Sequence, residues 1–221
     1  MARPDLIVLH YTAMRSADAA HERLCQPEAE VSAHYLITRE GALRSLVPEA
    51  RRAWHAGAGR WGAVVDVNSA SIGIELDNDG AGPFAAPLMR CLERLLSDVM
   101  ARHDIPPERV IGHSDCAPLR KVDPGPRFDW RRLALGGYAI WPGIDGAPEL
   151  GPAPRSALSD ARFAALCVAA GYAPGMAAQV YLCALRLRLA PWARGARGPA
   201  DDRRALWLAE HFPVDARAGT A

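Results

Sequence analysis

The pattern of hydrophobic and polar positions predicts short buried strands in the first half of the chain. Residues 5–10 begin with a charge and continue as Leu-Ile-Val-Leu, which is typical of a short buried strand. Residues 71–76 alternate instead, and a strand there would place Glu75 on the face opposite Ile72 and Ile74. The first half of the chain therefore contributes at least one sheet.

A hairpin and one more strand complete the predicted sheet. Residues 31–38 and 42–47 flank the turn signal Arg-Glu-Gly, which predicts two antiparallel strands joined by a short loop. Val110 and Ile111 form a brief apolar run that leads into His113. We expect this run to be a short strand.

Helical spacing dominates elsewhere. A helix is predicted from the N-cap Ser16 to about Cys25. Between Ala86 and His103, leucine and valine recur every three or four residues and form one apolar face. Three further helices are predicted near the C-terminus, at residues 158–171, 176–189 and 201–212.

The composition changes after residue 136 and predicts two parts. Residues 136–154 are rich in Gly and Pro, as in a linker. We therefore predict a larger domain over residues 1–137, a linker over 138–156 and a small helical region over 157–214. Short strands mixed with helices predict that the larger part is an α/β or α+β domain built on one sheet. It is expected to fold without the helical region.

Composition and charge exclude several classes of function. Half of the 221 residues are hydrophobic and the formal net charge is +1, so neither nucleic acid nor an anionic membrane is a predicted partner. No apolar run is long enough to span a bilayer. The sequence does not indicate an oligomeric state.

The five cysteines bear on the compartment. They are odd in number, widely spaced and form no CxxC pair, which argues against a disulfide framework and against a cysteine zinc site. Unpaired thiols and the lack of a recognisable signal peptide predict a cytoplasmic protein. The periplasm is the alternative if an export signal has been omitted.

Two histidines and one aspartate at predicted strand ends or in tight loops form a candidate metal site: His10, His113 and Asp123. Two imidazoles and a carboxylate can bind zinc and leave a fourth position open for water. Zinc in such a site activates water and polarises a carbonyl oxygen, which suits amide hydrolysis. Spacing alone is weak evidence, because the residues are scattered and a single histidine is more often structural.

Two other residues are candidates for the chemistry. Glu75 lies in an otherwise apolar strand, either at an exposed edge or as a general base in a cleft, where desolvation would raise its pKa. Lys121 is the only lysine among 26 basic residues and stands two positions before Asp123. Chance and an ordinary surface cation are the alternatives to a role for Lys121 in the site.

Six segments occur in the order found in one known family: Val-Leu-His-Tyr-Thr (8–12), Val-Ser-Ala-His-Tyr-Leu-Ile (31–37), Ala-Trp-His-Ala-Gly (53–57), Ser-Ile-Gly-Ile-Glu-Leu (71–76), Gly-His-Ser-Asp (112–115) and Arg-Lys-Val-Asp-Pro-Gly-Pro (120–126). Over residues 5–135 the chain resembles the zinc-dependent N-acetylmuramoyl-L-alanine amidases of the phage-lysozyme-like type, the Amidase_2 family. Within that family it is most similar to bacterial amidases that cleave anhydro-muropeptides. The resemblance implies a central mixed β-sheet flanked by helices, with zinc in a surface cleft.

The resemblance also implies roles for individual residues. His10, His113 and Asp123 resemble the ligands of one zinc ion per chain. Glu75 resembles the catalytic general base, and Lys121 resembles the residue that stabilises the oxyanion. Five residues in or near the motifs resemble substrate contacts: Tyr11, Thr12, His34, Trp54 and Asn78. Packing around the site is the alternative for those five.

The implied reaction is hydrolysis of the amide between N-acetylmuramic acid, or its 1,6-anhydro form, and the L-alanine of a stem peptide. The implied partner is a muropeptide or peptidoglycan fragment, met in cell-wall turnover or recycling. The helical region over 157–214 resembles, in degenerate form, a peptidoglycan-binding domain. A non-catalytic peptidoglycan-binding protein on the same fold is the alternative, and a structural interaction protein that binds no metal is a third hypothesis.

Overall fold

The computed structural model describes residues 3–214, which form one five-stranded sheet with helices on both faces. The strands are β1 (Leu6–Tyr11), β2 (Tyr35–Ile37), β3 (Leu43–Ser45), β4 (Ser71–Leu76) and β5 (Val110–Gly112). Their order across the sheet is β3-β2-β4-β1-β5. β3 is antiparallel to β2, and the other neighbouring pairs are parallel. The predicted mixed sheet is therefore confirmed.

The helices are α1 (Ala17–Cys25), α2 (Val67–Ala70), α3 (Ala86–His103), α4 (His113–Cys116), α5 (Trp130–Leu135), α6 (Asp160–Ala169), α7 (Ala178–Leu189) and α8 (Pro199–His211). Ser16 caps α1 as predicted, since its side chain accepts a hydrogen bond of 3.2 Å from the amide of Ala19. Within residues 3–214, no helix combines the length and the apolar character needed to cross a membrane.

The predicted hairpin forms, but β2 is shorter than residues 31–38. The amide of Ser32 donates to the carbonyl of Trp54, and the amide of His34 donates to the carbonyl of Gly73. The His34 carbonyl still accepts from the amide of Leu46, directly after β3, but the chain before it pairs with a loop, so the ladder with β3 covers three residues.

The two faces of the sheet have separate cores. On one face, β1 and β4 contribute alternate apolar side chains that pack against α3, including Ile7 and Ile74. On the other face, Leu6 and Val8 pack against side chains of the C-terminal helices, such as Phe163. Because side chains alternate along a strand, His10 lies on the same face as Leu6 and Val8.

The C-terminal helices also make a buried polar contact with the sheet domain. Asp115 in α4 is fully buried, and it accepts hydrogen bonds of 2.8 Å from Arg188 in α7 and 2.9 Å from the hydroxyl of Tyr172. Arg188 also donates to the carbonyl of Val110 in β5. The boundaries at residues 137 and 157 stay predictions from the sequence, but this packing argues against independent folding of residues 1–137.

We therefore predict that a chain ending at Gly137 is insoluble or unfolds at a much lower temperature than the full chain. Truncation exposes one apolar face of the sheet and leaves the buried charge of Asp115 without Arg188. Breaking a buried ion pair in this way costs about 3–5 kcal/mol. Soluble yield and thermal unfolding of the two chains measure the effect.

A point variant separates the ion pair from the loss of the helices. Arg188→Met should lower the free energy of unfolding by several kcal/mol, whereas Arg194→Met should change it little. Within residues 3–214, the side chain of Arg194 bonds only carbonyls of its own loop, those of Pro191 and Ala193. Equal stability of the two variants would contradict a structural role for the Asp115 contact.

Candidate active site

The candidate site lies at the carboxyl ends of three parallel strands. His10 is next to the last residue of β1, and Glu75 is its register partner on β4. His113 is the first residue of α4, directly after β5. In open α/β sheets, ligand sites form at this edge, because the strands end together and the following loops surround a crevice.

Asp123, the third candidate ligand, lies on the loop after α4. The amide of Ser114 donates a hydrogen bond of 2.9 Å to the carbonyl of Asp123, which fixes this loop beside α4. As a result, Nδ1 of His10, Nδ1 of His113 and Oδ2 of Asp123 are each 3.0 Å from the other two. All three residues are buried.

This donor set fits a zinc ion. Nε2 of His113 lies 3.0 Å from the carbonyl oxygen of Ala56, and only an N–H can pair with a carbonyl, so in the neutral imidazole Nδ1 of His113 presents a lone pair. Burial, reinforced by His113, lowers the pKa of His10 to about 4, and the imidazole is neutral as a ligand must be. Tetrahedral zinc ligands at about 2.1 Å from the metal lie about 3.4 Å apart, close to the spacing of these three atoms.

Glu75 is the unpaired acid of the site. Its Oε2 atom is buried and finds no hydrogen-bond partner within residues 3–214. Burial, with a smaller contribution from Asp123, raises the pKa of Glu75 to about 8, while Lys121 acts in the opposite direction. A carboxylate with a raised pKa is a stronger base than an exposed glutamate, which suits proton abstraction near neutral pH.

These groups share one open cavity. It has a volume of about 390 Å³, and the three candidate ligands, Glu75 and Lys121 line it. Lys121 follows Arg120, whose guanidinium donates to the carbonyls of Ala56 and Ala58. The single lysine therefore stands in the wall of the cavity that holds the candidate ligands.

The raised pKa of Glu75 predicts a pH-dependent stability in the metal-free protein. The pKa of this carboxyl is about 8 when folded against 4.5 for the free group. Between these values only the unfolded chain releases the proton, so rising pH lowers the free energy of unfolding. Each unit of pKa difference changes the free energy of unfolding by about 1.4 kcal/mol over this range, and solvent screening reduces the total change.

Glu75→Gln has no carboxyl at this position, so this pH-dependent contribution to the free energy of unfolding is absent. The stability advantage of the variant over the wild type should grow between pH 5 and pH 9, as measured by urea denaturation of chelator-treated protein. A constant difference across this range would contradict the raised pKa of Glu75.

Comparison with known proteins places this arrangement in a family. A sequence profile described as N-acetylmuramoyl-L-alanine amidase matches residues 1–126, more than half of the chain. The matched segment includes all three candidate ligands together with Glu75 and Lys121. This chain belongs to the N-acetylmuramoyl-L-alanine amidase family.

Two curated amidases illustrate the similarity in sequence. The chain is 39% identical over 156 residues to the N-acetylmuramoyl-L-alanine amidase AmiD of Escherichia coli, an alignment that covers 63% of this chain and 55% of AmiD. It is 39% identical over 106 residues to the 1,6-anhydro-N-acetylmuramyl-L-alanine amidase AmpD of Haemophilus influenzae, covering 48% of this chain and 58% of AmpD. The matches thus span little more than half the length of these curated amidases.

Solved amidase structures extend the similarity to nearly the whole chain. AmiD of Escherichia coli, in complex with anhydro-N-acetylmuramic acid-L-Ala-D-gamma-Glu-L-Lys, superposes with a TM-score of 0.86 at 32% identity, covering 96% of this chain and 91% of that one. AMPDH3 of Pseudomonas aeruginosa gives a TM-score of 0.83 at 28% identity, covering 96% and 93%. The C-terminal helices are therefore part of the architecture that this chain shares with those two structures.

The structure separates the five predicted substrate contacts into two groups. Tyr11, Thr12 and Trp54 line the cavity, and the side chain of Trp54 is 57% exposed. His34 and Asn78 are buried and are absent from the cavity lining. Both engage backbone groups instead, which is the packing alternative given above.

The backbone contacts of these two residues are specific. Nδ1 of His34 accepts from the amide of Gly73, and its Nε2 faces the carbonyl of Arg51. The Asn78 side chain accepts from the amide of Gly80 at 2.7 Å and donates to two carbonyls in the same loop. Their geometry favours support of β4 and of the loop after it.

Several residues that line the cavity were not predicted as site residues from the sequence. Arg23 and Leu24 come from α1, and Val31 and Ser32 come from the segment before β2. His55 lines the cavity as well and contacts His10 directly. The Ala-Trp-His-Ala-Gly segment was a signal for His55, whereas α1 carries no motif that points to the site.

Proposed function

We propose that this protein is a zinc-dependent N-acetylmuramoyl-L-alanine amidase. In this proposal it hydrolyses the amide between L-alanine and muramic acid or 1,6-anhydro-muramic acid. The observation that carries the proposal is the convergence of His10, His113 and Asp123, 3.0 Å apart, in the same cavity as the unpaired carboxyl of Glu75. The similar AmiD structure contains an anhydro-muramyl peptide, which supports this substrate class.

The three clustered residues would hold one zinc ion per chain. Bound zinc would supply a Lewis acid that activates water and polarises the scissile carbonyl. A non-catalytic peptidoglycan-binding protein does not need this donor set, so its presence favours an enzyme.

Glu75 would transfer the proton, and Lys121 would stabilise the negative charge. Glu75 accepts a proton from the attacking water at its unpaired carboxylate, and can later return it to the leaving nitrogen of L-alanine. Lys121 places its ammonium near the oxygen that becomes negative in the tetrahedral intermediate. The burial that raises the pKa of Glu75 thus serves the proton transfer.

The substrate would lie along the exposed side of the cavity. Tyr11, Thr12 and Trp54 are the proposed contacts, and Trp54 offers a partly exposed ring of the type that binds the apolar face of a sugar. The role of the C-terminal helices as a degenerate peptidoglycan-binding region stays a proposal. Their packing on the sheet supports a structural role in addition.

We place the protein in the cytoplasm. All five cysteines are free and lie within residues 3–214, and Cys25 and Cys183 are exposed. Exposed free thiols persist in a reducing compartment. A role in cell-wall recycling suits this location.

The experiment that tests the proposed function is product analysis on defined substrates. Purified protein is incubated with an anhydro-muramyl tripeptide and with the matching reducing-end muramyl tripeptide, and the products are identified by mass spectrometry. Release of an intact tripeptide that begins with L-alanine supports the proposal. Binding of either compound without cleavage, in protein that contains zinc, would favour the non-catalytic alternative.

Lys121→Arg should lower turnover by about a hundredfold although the charge is conserved. Losing one oxyanion donor costs about 3 kcal/mol in other hydrolases. A compact ammonium can approach a single oxygen, whereas a planar guanidinium is suited to bidentate partners and would crowd the site. Turnover on the anhydro-muramyl tripeptide and zinc content are measured on the same sample.

The matched control for Lys121→Arg is Arg131→Lys, an exchange at an exposed residue outside the cavity lining. It should leave turnover unchanged. If Lys121→Arg keeps turnover within about twofold of the wild type, the oxyanion role of Lys121 is contradicted.

A further inference from the structure

A buried histidine that the proposed chemistry does not use contacts one of the metal ligands. Nδ1 of His55 lies 3.1 Å from Nε2 of His10, and Nε2 of His55 lies 3.3 Å from the hydroxyl of Ser71. The ring of His55 occupies the space over Gly73, where a Cβ would lie 2.3 Å from the ring. The absence of a side chain at Gly73 therefore makes room for this contact.

The hydrogen positions in this chain of contacts follow from its far end. The Ser71 hydroxyl donates to the carbonyl of Val67 at 2.5 Å, and a hydroxyl has only one hydrogen. Ser71 can therefore only accept from His55, which makes Nε2 of His55 the N–H of that ring. A neutral imidazole has one N–H, so Nδ1 of His55 is an acceptor.

The position of the hydrogen on His10 follows from that on His55. Because Nδ1 of His55 accepts, Nε2 of His10 must donate to it. Nδ1 of His10 then presents its lone pair, and this is the atom that lies 3.0 Å from His113 and from Asp123. The chain from Val67 through Ser71 and His55 thus selects the tautomer in which His10 can bind a metal.

Ala56, the residue after His55, contacts the far nitrogen of the other histidine ligand, His113. The carbonyl of Ala56 faces Nε2 of His113 at 3.0 Å. The side-chain oxygen of the buried Asn68 accepts from the amides of both His55 and Ala56, at 3.0 and 2.8 Å. One anchored dipeptide therefore contacts the far nitrogens of both histidine ligands.

We propose that His55 and Ser71 are positioning residues, which orient His10 and fix its tautomer so that a metal ion can bind. Outer hydrogen-bond partners of metal-binding histidines have this function in general, and their loss weakens metal binding about 10- to 100-fold. The inference rests on the proposed function only for the identity of the metal. The tautomer of His10 is a property of the metal-free chain and can be tested separately.

The first test is zinc affinity, measured by competition with a chromophoric chelator. His55→Phe keeps a flat ring over Gly73 but removes both nitrogens, and should bind zinc about 10- to 100-fold more weakly than the wild type. His55→Gln keeps an acceptor for His10 and should recover part of the affinity. Ser71→Ala should weaken binding less than His55→Phe, because only the orientation of His55 is lost.

A purely structural role for His55 makes a different prediction. It would lower the melting temperature of the metal-free protein without changing the zinc affinity of the folded fraction. Zinc affinity of folded His55→Phe within twofold of the wild type would overturn the proposal. If zinc affinity falls equally in His55→Gln and His55→Phe, the role proposed for the hydrogen bond between His10 and His55 is overturned.

The second test does not depend on zinc binding or on the folding of His55→Phe. Nitrogen NMR of metal-free protein with labelled histidine distinguishes the two neutral tautomers. The proposal predicts the Nε2–H form of His10 in the wild type and a mixture of forms in Ser71→Ala. The Nδ1–H form of His10 in the wild type would overturn it. Wild-type protein that shows the predicted tautomer but binds no zinc would contradict the proposed function instead.

Discussion

Replacing Glu75 with Gln is expected to lower turnover by about a hundred- to ten-thousand-fold while zinc stays bound, the range typical of a lost general base. Gln has nearly the same shape, so the substitution leaves the walls of the cavity in place. It cannot accept a proton from water. Glu75 also contributes no atom to the cluster of His10, His113 and Asp123, so metal content should be unaffected.

The measurement is turnover of the anhydro-muramyl tripeptide together with zinc content of the same preparation. Asp77→Asn is the matched control, since Asp77 is a buried acid that lies just after β4 and outside the cavity lining, where it pairs with Arg39. It should keep turnover near that of the wild type. Wild-type turnover in zinc-loaded Glu75→Gln would contradict the role of Glu75 as base.

Replacing His113 with Ala is expected to remove the metal and, with it, the activity. Two ligands rarely form a tight zinc site. Loss of an outer hydrogen-bond partner alone costs about 10- to 100-fold in affinity, so loss of a ligand should cost more. The Ala56 carbonyl would lose one of its two partners, Nε2 of His113 at 3.0 Å, and keep the hydrogen bond from Arg120.

Zinc content after dialysis measures this effect, and thermal unfolding of the metal-free protein shows whether the variant is folded. His211→Ala is the control, because the exposed His211 contacts the carbonyl and the ring of Trp207 in α8 and is absent from the lining of the cavity. It should retain one zinc ion per chain. Full zinc occupancy in folded His113→Ala would remove His113 from the ligand set.

The elements that sequence reasoning locates best are those whose pattern is long or regular. The alternation over residues 71–76 predicts β4 with its observed bounds and puts Glu75 on the face away from the α3 core. The apolar repeat over Ala86–His103 predicts α3 with its observed bounds. Both patterns are direct consequences of which side chains meet the sheet core.

Short elements and long-range contacts are not predictable in this way. The four-residue helix α4 has no apolar period, because all four of its residues are buried against different partners. The orientation of His10 depends on His55, 45 positions away, and on the missing side chain of Gly73. From the sequence, His55 stands out only as a member of the Ala-Trp-His-Ala-Gly segment.

The contact between the sheet domain and the C-terminal helices is also not predictable from the sequence. The Gly- and Pro-rich stretch predicts a linker and therefore a separable helical region. Composition cannot show that Arg188 reaches back to the buried Asp115, two residues after a candidate ligand. That contact depends on how α7 packs on the sheet.

Chelation and reconstitution on a defined substrate test most directly whether the protein is a zinc-dependent amidase. Wild-type protein is treated with a chelator, freed of it by dialysis, and supplied with one equivalent of zinc, and cleavage of the anhydro-muramyl tripeptide is followed at each stage. Release of the tripeptide should stop on chelation and return with zinc, in proportion to zinc bound. Cleavage that continues in metal-free protein, or zinc-loaded protein that leaves the muramyl–alanine amide intact, would contradict the proposed function.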